Sequence, residues 1–157
     1  MKFNIIIIII LASTLSLKAL SAEISGIPNI IDGDTIIIKN KSIRFHGIDT
    51  PEKKQICYKN SEQYKCGKEA TDALIKKINK NQVLCKVHKK LDRYKRYIGV
   101  CFSEKINLNK WMVRNGYAVA YRRYSKDYIK DEKYAKKNKL GLWSGDFIYP
   151  EKWRKLN

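Results

Sequence analysis

Hydrophobic positions in the first third of the chain occur in short runs separated by turn residues. Residues 27–31, 35–39 and 42–46 are rich in isoleucine, and Asp-Gly-Asp and Asn-Lys lie between them. This pattern predicts three short β-strands joined by tight turns. Residues 83–102 (VLCKVHKKLDRYKRYIGVCF) show two apolar segments around a charged centre, which predicts a β-hairpin with two further strands.

The remaining apolar positions repeat at helical spacing. Residues 61–79 carry an apolar stripe that predicts a helix, and residues 106–115 predict a short helix that ends at Gly116. Residues 117–121 read as a brief extended piece, and residues 125–138 as a charged helix. Five short strands with about three helices predict one small α+β domain built on a five-stranded Greek-key β-barrel, compatible with an OB-fold.

The N-terminus has the features of an export signal. Lys2 precedes an uncharged run over residues 3–17, and small residues follow up to Ala22. The run is short for a membrane span, so residues 1–22 are predicted to be a secretory signal peptide, with a retained signal anchor as the alternative. We therefore expect a secreted or periplasmic protein whose domain spans residues 23–157, without stable membrane insertion after signal cleavage.

Export would change what is expected of the four cysteines, which are Cys57, Cys66, Cys85 and Cys101. Outside the cytoplasm an even number of cysteines indicates disulfides, and three pairings of four cysteines exist. Cys85 and Cys101 are equidistant from the centre of the predicted hairpin, which favours a bridge between them and leaves Cys57 with Cys66. The alternative is four reduced cysteines, if the protein is not exported.

The net charge of the chain indicates which class of partner it binds. The 157 residues include 33 Lys+Arg and 15 Asp+Glu, a net charge of +18, and such an excess attracts nucleic acid. Tyrosines interleave with arginines at residues 93–94 and 117–124, and these could bind single strands by stacking and by phosphate contacts, although core packing is favoured for Tyr117. A membrane-active toxin is disfavoured because no strongly amphipathic basic helix is present.

Four of the scarce acids lie in one short segment beside an arginine. Asp32, Asp34, Asp49 and Glu52 all fall within IDGDTIIIKNKSIRFHGIDTPE, with Arg44 among them. Turn chemistry explains each acid taken alone. Together they form the kind of set that phosphodiester hydrolysis needs, namely oxygen ligands for a hard cation, a proton acceptor and positive charge for the phosphate. With only two histidines in the chain, a histidine-rich transition-metal site is improbable.

Five motifs in register resemble the thermonuclease (staphylococcal-nuclease-like) family. These are DGDT at 32–35, IRFHGIDTPE at 43–52, DRYKR at 92–96, NGYAVAY at 115–121 and GLW at 141–143. The resemblance covers residues 27–153 and implies a five-stranded OB-type barrel with three helices. It also implies a calcium-dependent secreted nuclease that cleaves DNA and RNA toward 3′-phosphate ends.

The resemblance also implies residue roles. Asp34 and Asp49 match calcium carboxylates, and Thr50 offers a backbone carbonyl to the ion. Glu52 matches the general base, and Arg44 and Arg96 match the phosphate-binding arginines. Asp32 would support the site without binding the ion directly. The implied substrates are DNA and RNA, preferably single-stranded or frayed, and a monomer is expected.

Three points stay open in the sequence. The family's usual glycine in the DRYGR motif is Lys95 here; if that turn needs positive φ, the lysine costs on the order of 1 kcal/mol and shifts the aim of Arg96. The alternative function is a noncatalytic nucleic-acid-binding OB-fold module, against which the intact set of acids and arginines argues. His46 shares the face of Arg44 by strand alternation, but a surface role is favoured for it.

Overall fold

A computed structural model describes residues 22–157. The predicted signal peptide, residues 1–22, lies outside the described residues except for Ala22. The strands in chain order are β1 Ala22–Gly26, β2 Asn29–Ile30, β3 Thr35–Ile38, β4 Lys41–Phe45, β5 Ile48–Asp49, β6 Cys57–Lys59, β7 Glu62–Tyr64, β8 Val83–Val87, β9 Tyr97–Ser103, β10 Ile106–Asn107 and β11 Val119–Ala120. The helices are α1 Cys66–Ile78, α2 Leu108–Arg114, α3 Ile129–Lys137 and α4 Pro150–Leu156, with a 3₁₀ turn at Gly141–Ser144.

The main sheet has seven strands within residues 22–157. Its order is β1-β8-β9-β4-β3-β2, and β10 pairs with β9. Its pairs are antiparallel except β4 with β9, which run parallel and place Arg44 opposite Ile98. β1, at one end of this order, also lies against β3, near the other end. The sheet therefore curls back on itself, as a barrel-like α+β fold requires.

Alternating isoleucines explain the core. Ile36, Ile38 and Ile43 point inward from β3 and β4 and are fully buried, which is the period-2 pattern of a strand with one face packed. Leu74 of α1 and Met112 of α2 close the core from the other side. Tyr117 packs against the same core beside Trp111, with ring centroids 5.5 Å apart, so the core role favoured for this tyrosine is confirmed.

The α+β class is confirmed, but several predicted boundaries are wrong. Within the described residues the structure has four α-helices rather than three and seven strands in the main sheet rather than the five of the predicted barrel, and β1, β5, β6, β7 and β10 were not predicted. The helix predicted from residue 61 begins at Cys66 instead, because residues 62–64 form β7. Asn60 and Ser61 have φ angles of 50° and 66°, so they make a tight turn back toward β6 rather than a helix start.

Both predicted disulfides are confirmed. Cys85 and Cys101 are directly opposite in the β8–β9 ladder and are bonded to each other. Cys57 and Cys66 join β6 to the first residue of α1. None of the helices within the described residues is long and apolar enough to cross a membrane.

The segment after the 3₁₀ turn is anchored to the rest of the domain by buried contacts. The side chain of Gln55 is fully buried and donates a hydrogen bond of 2.7 Å to the carbonyl of Ile148. Asp146 pairs with Tyr58 through two backbone hydrogen bonds, and Pro150, at the start of α4, is buried. These contacts fix where α4 begins, and they bring it to the edge of the acidic cluster.

Candidate active site

The turn between β2 and β3 places the first two acids. Asp32 accepts a hydrogen bond of 3.0 Å from the backbone N–H of Asp34, a local bond that fixes the turn. Asp34 is buried, and its Oδ2 accepts from both the N–H and the hydroxyl of Thr50 at 3.0 Å. A Cβ at Gly33 would lie 3.0 Å from the Thr50 side chain, a tight contact, so glycine favours the close packing of this turn against Thr50.

The other two acids, Asp49 and Glu52, are positioned by the end of β5 and the loop that follows it. Asp49 is the last residue of β5 and is 1% exposed. Glu52 follows Pro51 and remains partly exposed, while its carbonyl accepts from the N–H of Gln55 at 2.7 Å. A Cβ on Gly67 in α1 would lie 1.8 Å from the same carbonyl. The position of Glu52 therefore depends on a glycine in a neighbouring helix.

Arg44 joins the two acidic loops. It lies in β4 opposite Thr35, and its guanidinium forms an ion pair with Asp34. A second hydrogen bond, 2.8 Å long, reaches Oδ1 of Asp49. The cluster predicted from sequence thus comes together, with Arg44 in contact with both Asp34 and Asp49.

Arg154 of α4 is the member of the cluster that sequence reasoning missed. Its guanidinium donates hydrogen bonds to both carboxylate oxygens of Asp49, at 3.0 and 2.9 Å. It donates a third hydrogen bond, 2.8 Å long, to Oε1 of Glu52. It therefore bridges the two acids of the second loop. One sequence signal was available, because Pro150 followed by Glu151 is a typical first turn of a helix; nothing in the sequence indicated where that helix would dock.

Burial and mutual repulsion shape the titration of these groups. Burial, followed by the neighbouring Asp34 carboxylate, raises the pKa of Asp32 to about 6. Burial also raises the pKa of Asp49, although hydrogen bonds from Arg154 oppose this. Burial alone would lower the pKa of Arg154, but its bonds with Asp49 and Glu52 outweigh it and raise the pKa. The cluster is thus a crowded set of acids in which added positive charge favours the ionised forms.

Arg96 is placed differently from Arg44. Its side chain is bonded to Asp92, with Nε–Oδ2 and Nη2–Oδ2 distances of 2.9 and 2.8 Å. Within the described residues it makes no ion pair with Asp34, Asp49 or Glu52. It stands one residue before β9, the parallel neighbour of the strand that carries Arg44. Lys95 has a φ of 60°, so the left-handed turn considered in the sequence analysis is present.

A cavity of about 320 Å³ opens beside the acids. Asp49, residues 119–123 and part of α4 line it. Its lining includes Tyr121, Tyr149, Arg122, Arg123, Lys152 and Lys155. Arg122 forms an ion pair with the buried Glu132. Lys152 and Lys155 give the α4 side of the cavity a positive charge. Aromatic rings and positive charge beside an acidic cluster suit a polyanionic chain with planar bases.

His46 lies outside the acidic cluster. Its ring is 5.5 Å from that of His88, and its Nε2 is 3.8 Å from Asp127. Burial and then the neighbouring His88 lower the pKa of His46. The structure gives it no contact with the predicted site residues.

The acids fit a hard cation by type and charge. Asp34, Asp49 and the backbone of Thr50 supply only oxygen ligands, which calcium prefers. As they stand, however, no three His, Cys, Asp or Glu side chains in residues 22–157 are arranged to hold a metal ion. The physical reason is that guanidinium groups of Arg44 and Arg154 already bind the carboxylates. A cation at this position would have to replace those hydrogen bonds.

Comparison with known proteins decides the family. The model of the family described as "Staphylococcal nuclease homologue" matches residues 42–145. The chain belongs to this family. The match includes Asp49, Glu52, Arg44 and Arg96, and it leaves α4 outside.

Named relatives of this family member are similar over most of its length. The succinoglycan biosynthesis protein ExoI of Rhizobium meliloti is 32% identical over 123 residues, 76% of this chain and 64% of that protein. An uncharacterized endonuclease of Haemophilus influenzae is 37% identical over 134 residues, 80% of this chain and 70% of the relative. A micrococcal nuclease of Shigella flexneri is 31% identical over 146 residues, 82% and 78% of the two chains.

Proposed function

We propose that this protein is an exported, calcium-dependent endonuclease that hydrolyses phosphodiester bonds of DNA and RNA toward 3′-phosphate ends. Membership of the staphylococcal nuclease homologue family and relatives named as nucleases make it a nuclease hydrolase. The observation that carries the proposal is one partly buried cluster, in which Arg44 binds Asp34 and Asp49 while Arg154 binds Asp49 and Glu52. It stands beside a cationic cavity suited to a polyanion.

The proposed roles follow from the chemistry of each group. Asp34, Asp49 and the Thr50 carbonyl would hold calcium, which when bound supplies positive charge for the developing phosphorane. Glu52 takes a proton from the attacking water as a P–O bond forms. The bond to the 5′ oxygen breaks, and that oxygen takes a proton from solvent. Arg44 binds the phosphate oxygens.

Arg96 is proposed as the second phosphate-binding arginine. In the structure it is engaged by Asp92 at the base of the loop between β8 and β9. Its position supports the assignment, since Arg96 directly precedes β9, the parallel neighbour of the strand that carries Arg44. Binding of substrate would require Arg96 to exchange part of its bonding to Asp92 for a phosphate.

Export is proposed from the cysteines and from the N-terminal sequence. Two disulfides are typical of oxidising compartments, and residues 1–22 have the pattern of a signal peptide. Cleavage after Ser21 would keep β1 whole, whereas cleavage after Ala22 would remove the Ala22–Val87 pair. We propose a monomer in the secreted or periplasmic space, with no stable membrane insertion.

The test is cleavage of a labelled single-stranded oligonucleotide by the purified protein with calcium and with a chelator. Cleavage with calcium, and its loss on chelation, is expected. End-group analysis of the fragments should show 3′-phosphates. Binding without cleavage at every calcium concentration would contradict the enzyme assignment and support the noncatalytic OB-fold module instead.

A further inference from the structure

We propose that Arg154 is a further catalytic residue of this nuclease, a guanidinium that binds the scissile phosphate alongside Arg44. The inference rests on the proposed function, because it assigns a new substrate contact to the same site. It concerns α4, Pro150–Leu156, which lies beyond the residues 42–145 that match the family. The match with the family model therefore does not include this contact.

Arg44 and Arg154 occupy equivalent positions around one carboxylate. Arg44 Nη2 and Arg154 Nη1 both donate to Oδ1 of Asp49, at 2.8 and 3.0 Å. They approach from different elements, β4 and α4. Arg154 also reaches Glu52, and its side chain is 34% exposed against 15% for Arg44. It is thus both next to the proposed base and open to an incoming ligand.

Arg154 is held in place by the fold and does not belong to a loose tail. Gln55 binds the Ile148 carbonyl at 2.7 Å and the N–H of Glu52 at 3.3 Å. The same buried amide therefore ties the Glu52 loop to the segment that begins α4. Arg123 adds an ion pair of 3.2 Å with Glu151, in the first turn of the helix. Glu52 and Arg154 are consequently positioned by one set of contacts.

Charge balance gives the reason for a change of partner. Three carboxylates, on Asp34, Asp49 and Glu52, bind two guanidinium groups in this structure, and Asp32 lies next to Asp34. A divalent cation on the carboxylates would supply the positive charge that the arginines now supply, and it would repel them. A phosphate arriving at the same point offers two oxygens that match the fork of N–H donors of an arginine. With the cation bound, the guanidinium of Arg154 therefore binds the substrate phosphate in preference to the carboxylates.

The cavity beside α4 supplies a binding surface for a strand next to this arginine. Lys152 and Lys155 flank Arg154 in sequence and line the cavity, while Tyr121 and Tyr149 supply stacking faces. Asp49, to which Arg154 is bonded, lines the same cavity. A single strand bound there has phosphates within the region of α4.

The experiment uses an oligonucleotide with neutral methylphosphonate linkages and one central phosphodiester. Only that linkage carries charge and can be cleaved, so its turnover reports contacts at the scissile phosphate. Cleavage is measured for the wild type, Arg154→Gln, Arg154→Lys and Arg154→Ala. Arg114→Gln is the matched control, because Arg114 pairs with the buried Asp131 away from the site. Calcium affinity is measured by calorimetry without oligonucleotide, and folding by circular dichroism.

We expect Arg154→Gln to lower kcat/KM on the single phosphodiester by roughly 100-fold, as for loss of one donor to a transition state. Arg154→Lys should retain an intermediate rate, and added guanidinium should partly restore Arg154→Ala. Calcium affinity of the substrate-free variants should be unchanged or higher, since a competing cation is removed. Arg114→Gln should cleave as the wild type does.

Two results would overturn the inference. One is cleavage by Arg154→Gln at the wild-type rate. The other is a loss of activity that follows a weaker calcium affinity, which would give Arg154 only the task of holding the carboxylates. If the wild type fails to cleave, the proposed function fails, but binding still decides the inference. The single phosphodiester should then strengthen binding over the fully neutral oligonucleotide more in the wild type than in Arg154→Gln.

Discussion

Individual residues in the acidic cluster have separable tasks because they differ in burial. Asp34 and Asp49 are buried and bonded to arginines, whereas Glu52 is partly exposed and reaches the open side of the cluster. A buried carboxylate with fixed partners suits ligation, and a partly exposed one suits transfer of a proton to and from water. Substitution at Glu52 therefore tests chemistry with the least effect on the fold.

Glu52→Gln keeps the size of the side chain and removes its basicity. Turnover of single-stranded DNA with calcium should fall by roughly 100-fold or more, because a general base acts in the transition state. Equilibrium binding of the same strand should change little. Comparison of kcat with the dissociation constant checks this, and a variant that cuts at the wild-type rate would remove Glu52 from the mechanism.

Lys95→Gly removes a side chain from a left-handed backbone position. With φ at 60°, lysine carries a steric cost that glycine does not, so the free energy of unfolding should rise by up to about 1 kcal/mol. Urea denaturation measures it. Lys89→Gly in the same loop, where the backbone is not left-handed, is the control and should bring no gain; equal changes in both variants would show that the turn is not strained.

At the scale of elements, the sequence predicts what periodicity encodes. The isoleucine-rich strands and the cysteine hairpin follow from alternation and symmetry, and they were found where predicted. β6 and β7 were missed because their residues are mostly polar, and their pairing is set by a tight turn and a disulfide. α4 was missed because its seven residues have too few apolar positions for a periodic stripe. The same contrast holds in the candidate site. The acids and Arg44 were predicted from motifs, whereas Arg154 was not, since it is about a hundred residues from its partners in sequence and belongs to no motif.

The packing of α1 against the Glu52 loop predicts a sensitive glycine. Gly67→Ala places a Cβ 1.8 Å from the Glu52 carbonyl, and backbone atoms must move to relieve it. We expect a loss of about 1–3 kcal/mol in unfolding free energy, as for overpacking, together with reduced turnover. Lys68→Ala, at the next and exposed position, is the control. Normal stability and activity of Gly67→Ala would show that the loop is free to shift.

At the scale of the whole molecule, positive charge dominates encounters with nucleic acid. The net charge is +18, and α4 adds lysines beside the acids. Affinity for single-stranded DNA should fall steeply with salt, with a log–log slope of about −0.7 for each phosphate contact. Titrations between low and physiological salt measure the slope. A nearly flat line would mean that the cationic cavity does not bind the strand.

The Cys85–Cys101 bridge has a consequence for resistance to proteases. It joins β8 and β9 below a loop whose residues 88–91 and 93–95 are exposed and include several trypsin sites. Exposed loops of this kind are where proteases cut first. A cut there leaves the two fragments covalently linked, with Arg96 still attached to its strand, so a nicked molecule migrates as one chain until it is reduced. In a compartment that contains proteases, the disulfide therefore keeps the two fragments together after a cut in this loop that would otherwise let them separate.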